Sequence, residues 1–274
     1  MYRRTGPCKT ARRFDFEGGT MWRDKYDLIS FETDGHVLIV RFARENHLNA
    51  INARLHTEMA WLFRDLAENC DSRAIVITGK GKAFCAGGDI NWFSDMPPGD
   101  LDRLFVEARR IIVDLLEVRQ PIITAINGPA VGLGATLALF GDIIYMGESG
   151  VVADTHVLAG IAAGDGGAVI WPWLVGMSRA KEFLFTGAKI NATLAKEIGL
   201  VNHVTEDDQL MPQALSMAQR LAGGAQMAIR ATKASLNKIL RDTVNLNLDT
   251  SLSMEKECFS SQEHRDCIAA FLKK

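Results

Sequence analysis

The sequence predicts an α/β fold in which buried strands lead into helices. Two short apolar runs, residues 74–79 and 121–126, have the length and composition of buried strands. A glycine-rich turn follows each of them, and the second turn opens directly into good helix formers. Upstream, residues 26–32 and 36–42 alternate in polarity around Asp34-Gly35, which indicates a β-hairpin.

Helical periodicity follows the hairpin and returns in the C-terminal third. Asn52 is expected to be the N-cap of a helix that ends near Asn69. Its apolar face consists of Leu55, Met59, Leu62, Phe63 and Leu66. Residues 171–274 are predicted to be mostly helical, since apolar side chains recur there at three- and four-residue steps.

Composition excludes several classes of protein. The 274 residues carry a formal net charge of −2, which argues against a general nucleic-acid binder. No apolar run approaches the roughly 18 residues that a membrane span needs. The five cysteines form no CxxC pair, which indicates reduced thiols and a cytoplasmic location.

Residues 1–20 differ from the rest of the chain. They are rich in basic side chains and show no apolar periodicity, so we predict a disordered N-terminal extension. The alternatives are a targeting peptide or a natural start at Met21.

Two glycine-rich turns are candidates for a binding site. We call residues 82–90 the Cys85 turn and residues 127–134 the Leu133 turn. Glycine allows a sharp turn and close approach to a ligand, and the N–H groups that begin a helix attract negative charge. Two such turns aimed at one oxygen would form an oxyanion hole. The alternative is two tight connections in a core, and neither turn has the spacing of a P-loop or a dinucleotide site.

The residues of these turns resemble the enoyl-CoA hydratase/isomerase (crotonase) superfamily. The likeness covers roughly residues 25–272 and is carried by five blocks, residues 83–90, 121–134, 141–145, 184–187 and 195–202. It implies a crotonase-like spiral of ββα units and a coenzyme A thioester as substrate, with no separate cofactor. Matched by position, the oxyanion hole would consist of the backbone N–H groups of Ala86 and Leu133.

The same resemblance implies the remaining substrate contacts: Arg44, Phe84, Ala86, Gly87, Gly88, Asp89, Ile90, Gly132, Thr136, Lys256 and Phe259. Arg44 falls in a loop that runs along CoA in relatives, although an exposed arginine without a ligand explains it equally well. Trp92 and Phe93 are candidates for the acyl pocket, but core packing explains both.

The resemblance also implies a division of the chain. Residues 21–210 would form the spiral core, and residues 211–274 a helical region that covers the site and builds a homotrimer or a dimer of trimers. Lys256 and Phe259 would then lie near a neighbouring subunit's CoA. These partners are an acyl-CoA and further copies of the chain, with no nucleic acid or membrane.

The sequence departs from the superfamily where its hydratases carry two glutamates. Those positions hold Thr136 and His156. A threonine hydroxyl does not accept a proton near neutral pH, so the two-glutamate mechanism does not carry over. His156 and Asp165 instead stand nine residues apart across a glycine-rich turn, in a block that resembles the superfamily's β-diketone hydrolases, such as 6-oxocamphor hydrolase. A carboxylate on one imidazole nitrogen would orient the ring and raise its basicity.

Structural explanations for this pair remain open. His156 could be a satisfied core histidine, and Asp165 could cap the helix that begins near Gly167. Glu148 and Asp154 are expected in solvated turns. The other histidines show no metal-like spacing and are interpreted as surface or packing residues: His36, His47, His56, His203 and His264.

The sequence therefore predicts an acyl-CoA enzyme that hydrates or isomerises an enoyl-CoA, with His156 and Asp165 as an acid/base dyad. The first alternative is hydrolytic C–C cleavage of a β-keto substrate. The second is a non-catalytic subunit that binds CoA esters.

Overall fold

The computed structural model describes residues 21–97 and 99–273, and it confirms the predicted α/β class. The expected extension at residues 1–20 lies outside the described residues. Nine strands are present in this part of the chain: β1 (Ile29–Asp34), β2 (Val37–Phe42), β3 (Ala74–Gly79), β4 (Ile122–Ile126), β5 (Pro129–Val131), β6 (Ile143–Gly147), β7 (Val151–Ala153), β8 (Ile190–Asn191) and β9 (His203–Thr205).

Ten α-helices connect and cover these strands: α1 (Ala53–Asn69), α2 (Ile90–Ser94), α3 (Asp100–Glu117), α4 (Leu133–Leu139), α5 (Gly167–Val175), α6 (Met177–Thr186), α7 (Ala192–Glu197), α8 (Leu210–Ala222), α9 (Gln226–Phe259) and α10 (Gln262–Leu272). Helix α1 begins where the sequence predicts, because the Asn52 side chain caps it by accepting from the Leu55 N–H at 2.9 Å. None of the described helices is long and apolar enough to cross a membrane.

The main sheet has the strand order β1-β2-β3-β4-β6-β9. The predicted hairpin is confirmed as the antiparallel pair β1–β2, with Gly35 at a φ of 58° in its turn. Every other neighbouring pair in this sheet is parallel. The carboxyl ends of β3 and β4 therefore lie side by side, and the two glycine turns leave the sheet at the same edge.

Both faces of the main sheet are buried. On β2, Val37 and Ile39 pack towards α8, while Leu38 and Val40 belong to the larger core on the opposite face. A parallel sheet covered on both sides needs such continuous apolar strands. This explains why β2 and β3 are apolar throughout much of their length.

A second, three-stranded sheet (β5-β7-β8) holds the Leu133 turn beside the strand that leads to His156. The C-terminal helices α8 and α9 pack against different parts of the protein. Helix α8 packs on the main sheet, whereas α9 runs along α3 and α5 and reaches the cavity described below. A division of the chain at residue 210 stays a prediction.

Candidate active site

The Cys85 turn and the Leu133 turn are joined backbone to backbone. The Cys85 N–H donates to the Pro129 carbonyl at 3.0 Å, and the Val131 N–H donates back to Cys85 at 2.9 Å. A Cβ at Gly134 would lie 2.5 Å from the Cys85 carbonyl oxygen. Glycine at 134 is thus what allows the two turns to close on each other.

Two asparagines, Asn49 fully buried and Asn127 half-buried, fix the Cys85 turn from outside. Asn49 donates from Nδ2 to the Ala83 carbonyl at 2.8 Å. Asn127 donates to Gly81 at 2.9 Å and accepts from the Gly79 N–H at 3.1 Å. These bonds satisfy turn carbonyls that helices or strands would otherwise satisfy.

The two expected oxyanion donors differ in the structure. Leu133 is the first residue of α4, so its N–H precedes the first intrahelical bond. The Ala86 N–H instead donates to the Leu48 carbonyl at 3.0 Å. Leu48 and Asn49 both have positive φ, 52° and 56°, and form a tight reversal there. A bound thioester oxygen would have to take the Ala86 N–H from Leu48.

A cavity of about 510 Å³ opens where these turns meet. Nine of the predicted catalytic and substrate-binding residues line it: Ala86, Gly87, Gly88, Ile90, Gly132, Leu133, His156, Asp165 and Phe259. Trp92 and Phe93 line it too, while also packing against the main core. The sequence therefore predicted most of the residues that the two glycine turns contribute to the wall of this cavity.

The remaining expected contacts are engaged elsewhere. Arg44 forms an ion pair with Asp89 at 2.8 Å and donates to the Ala50 carbonyl, so it is not a free surface arginine. Burial alone would raise the pKa of Asp89, but the hydrogen bond and charge of Arg44 hold that pKa below its usual value. Phe84 is fully buried against Phe42. Lys256 is half-exposed and pairs with Asp102.

His156 sits between two carboxylates. Its Nδ1 lies 2.6 Å from Asp154 Oδ1, and its Nε2 lies 3.1 Å from Asp165 Oδ2. Thr136 adds a weak contact to the other oxygen of Asp165 at 3.4 Å. The predicted pairing of His156 with Asp165 is therefore present, although Asp165 contacts the ring from the cavity side and Asp154 holds the nitrogen behind.

Two expectations about these carboxylates were wrong. Asp154 was placed in a solvated turn, but it follows β7 directly and has no exposed surface. Asp165 was weighed as a helix cap, but α5 begins after Gly166 without a side-chain cap. Both carboxylates point at the same imidazole instead.

The surroundings favour a charged imidazole. Burial alone would lower the pKa of His156, but the negative charges of Asp165 and Asp154, and their hydrogen bonds to the ring, raise it well above 6.5. With a carboxylate oxygen beside each ring nitrogen, the geometry favours an imidazolium, which would donate to both neighbours.

Glu255 is a fourth titratable group at the site, and the sequence analysis missed it. It lines the cavity from α9, is 3% exposed, and its Oε2 has no hydrogen-bond partner among the described residues. Burial, followed by the charge of Asp165, raises its pKa well above 4.5. Its position one turn before Phe259 on the same helix face was the available signal.

His156, Asp165 and Glu255 each place one ligand atom within 4.8 Å of the other two. One nitrogen and two carboxylate oxygens at this spacing could hold a divalent cation. A proton could equally move among these groups, directly between His156 and Asp165 at 3.1 Å and through a bridging water to Glu255. The sequence-based expectation of no metal stays a prediction.

A profile of the family described as enoyl-CoA hydratase/isomerase matches residues 32–274. The chain belongs to the enoyl-CoA hydratase/isomerase family. It is 31% identical over 251 residues to a short-chain-enoyl-CoA hydratase of Clostridium acetobutylicum, over 90% of this chain and 95% of the relative.

Solved structures of this family confirm the crotonase-like fold. An enoyl-CoA hydratase/isomerase from Mycobacterium paratuberculosis has a TM-score of 0.85 and 36% identity, over 89% of this chain and 100% of that one. A β-diketone hydrolase from the cyanobacterium Anabaena has a TM-score of 0.80 and 30% identity, over 87% and 96%. The family likeness therefore spans two named chemistries.

Proposed function

We propose that this protein hydrates or isomerises an enoyl-CoA in the cavity between the two glycine turns. The observation that carries the proposal is the position of His156. A Cβ at Gly132 would lie 3.7 Å from His156 Nε2 and 3.9 Å from the Gly87 Cα. The proton-carrying cluster thus lies directly beside the turns that would hold the thioester.

The thioester oxygen would accept hydrogen bonds from the N–H groups of Ala86 and Leu133. Negative charge accumulates on that oxygen as the substrate becomes an enolate, so donors aimed at it lower the barrier. The Leu48 carbonyl, which accepts from the Ala86 N–H at 3.0 Å, would release it when the thioester binds.

The charge of the cluster suggests how protons move during hydration. Because carboxylates flank both nitrogens of His156 and favour its protonated form, Asp165 would accept the proton of the attacking water. The oxygen of that water bonds to the β-carbon. Glu255, which holds a proton, delivers it to the α-carbon and becomes a carboxylate. The proton on Asp165 then passes to Glu255, and the site is restored.

Isomerisation uses the same groups without water. Asp165 removes a proton from the γ-carbon, and Glu255 protonates the α-carbon. In the opposite direction Glu255 removes the proton from the α-carbon, and Asp165 protonates the γ-carbon. In each direction the enolate oxygen rests on the same two N–H groups.

Hydrolytic C–C cleavage is the second candidate, and the likeness to the Anabaena β-diketone hydrolase favours it. Water activated by Asp165 would attack a β-carbonyl, the bond between that carbonyl carbon and the α-carbon would break, and the departing enolate would take a proton from Glu255. The products are a carboxylic acid and a shortened thioester or ketone.

A panel assay separates these reactions. Purified protein is given 2-enoyl-, 3-enoyl- and 3-ketoacyl-CoAs and a cyclic β-diketone, and products are identified by mass spectrometry. A 3-hydroxyacyl-CoA or a shifted double bond supports the proposal. A released acid from the β-keto substrates alone supports the second candidate. Binding of CoA esters without turnover of any member contradicts both and favours a binding subunit.

A further inference from the structure

A second buried histidine–carboxylate pair lies in the wall of the same cavity. His56 on α1 is 3% exposed, and its Nδ1 lies 2.8 Å from Oε2 of Glu107 on α3. The other oxygen of Glu107 accepts from the Thr57 hydroxyl at 2.9 Å. The sequence had assigned His56 to the surface or to packing, and nothing in the proposed reaction uses it.

The surroundings of His56 are apolar. Its ring centroid lies 5.7 Å from that of Trp92, and Trp92, Leu104 and Ala108 line the cavity beside it. Glu107 occupies Nδ1, whereas Nε2 has no hydrogen-bond partner among the described residues. The wall therefore presents two polar ring atoms close together among apolar side chains, His56 Nε2 and the indole N–H of Trp92, which has no hydrogen-bond partner among the described residues either.

A hydroxyl group is the ligand group that suits His56 Nε2. The Glu107 carboxylate accepts, so Nδ1 carries a hydrogen. A hydroxyl both donates and accepts, so it can pair with Nε2 whether or not that nitrogen carries a hydrogen. A ligand that brings a hydroxyl to this point therefore adds a hydrogen bond in a mostly apolar wall. Apolar pockets commonly use a few polar groups of this kind to orient a ligand.

We propose that His56, oriented by Glu107, is a specificity site for an acyl chain that carries a hydroxyl group. The inference rests on the proposed function, because it assumes that an acyl-CoA occupies the cavity. The substrate class narrows accordingly, from enoyl-CoAs in general to those whose acyl chain carries a hydroxyl group.

The test measures binding rather than turnover. Isothermal titration is carried out with butanoyl-, hexanoyl- and octanoyl-CoA, each with and without a hydroxyl on the terminal carbon. These saturated thioesters do not react, so chemistry at His156 does not enter. We expect at least one hydroxylated ligand to bind the wild-type protein about 10-fold tighter than its parent, as a satisfied buried hydrogen bond allows.

Substitutions test whether His56 causes the preference for hydroxylated ligands. His56→Phe, or His56→Leu if the larger side chain prevents folding, should abolish the preference, so that each hydroxylated ligand and its parent bind the variant with equal affinity. Thr57→Val is the matched control: it removes a neighbouring hydrogen bond to Glu107 but leaves His56 in place, and it should retain the preference.

Equal affinity within every ligand pair, or a preference that survives loss of His56, would overturn the inference and leave the enoyl-CoA proposal standing. Failure of every CoA ester to bind the wild-type protein would instead contradict the proposed function and this inference together.

Discussion

At the residue scale, the site depends on a balance of buried charge. Asp154, Asp165 and Glu255 surround one imidazole, so full ionisation would place three negative charges beside a single positive one. The three carboxylates are buried, so such an excess is costly. It raises the pKa of both His156 and Glu255, which favours protons on these two groups, as an acid/base catalyst needs.

Asp154→Asn tests the charge behind the ring. The variant keeps a side chain of the same shape but removes the negative charge on Nδ1, so the pKa of His156 should fall and turnover should drop by roughly 10²-fold or more. NMR titration of the His156 Cε1 proton measures the first effect and steady-state kinetics the second. An unchanged titration curve would show that Asp154 does not set the charge of His156.

Glu255→Gln tests, through the pH dependence of protein stability, whether Glu255 is protonated. The pKa of Glu255 is raised in the folded state, so the native protein binds more protons than the unfolded chain above pH 4.5 and loses stability as pH rises towards the folded pKa. Glutamine carries no such cost. The Tm advantage of the variant over wild type should therefore grow with pH from about 4.5 upwards. A constant Tm difference across this range would contradict a protonated Glu255.

At the element scale, local signals predicted the fold well. The hairpin, the capped helix α1 and the strands before both glycine turns each follow from neighbouring residues. Glu255 was missed for the opposite reason. Its burial arises from elements distant in sequence: α9 covers a cavity whose opposite wall is formed some 120 to 170 residues earlier. Periodicity along one segment does not reveal such packing.

The contact between the two glycine turns makes a prediction at this scale. Gly134→Ala places a Cβ 2.5 Å from the Cys85 carbonyl and 2.8 Å from its sulfur. The turns should move apart, with a loss of about 1–3 kcal/mol in the free energy of unfolding and weaker binding of CoA esters. Urea unfolding measures the loss.

Gly223→Ala is the control for that variant. The nearest atom to its new Cβ is 3.4 Å away, an ordinary contact. A smaller effect on stability is expected there. Equal losses in the two variants would show that close approach of the turns is not what Gly134 provides.

At the scale of the whole molecule, the proposal of a CoA ester as ligand rests on the family assignment and on the cavity between the two glycine turns. Exposed apolar side chains on the helical half, including Trp173, Phe185 and Leu246, are compatible with association between copies. The homotrimer or dimer of trimers implied by the sequence stays a prediction.

Thermal protection tests the ligand class. A saturated acyl-CoA binds only the native state and should raise the Tm in proportion to the logarithm of its concentration. NAD, ATP and divalent metal ions should have no such effect, and a chelator should leave turnover unchanged. Protection by Zn²⁺ or Mg²⁺ would show that His156, Asp165 and Glu255 hold a metal rather than a proton.

The most direct test of the central claim is the turnover of a 2-enoyl-CoA by His156→Ala, Asp165→Asn and the double variant as a function of pH. We expect each single change to reduce turnover by roughly 10²–10⁴-fold, with little change in affinity for a saturated acyl-CoA. The double variant should lose much less than the product of the two, because the residues act as one unit. Wild-type activity should fall on the alkaline side, as the raised pKa of His156 is passed, and His156→Ala should lack that limb. Near-normal turnover in His156→Ala, with the alkaline limb intact, would contradict the account.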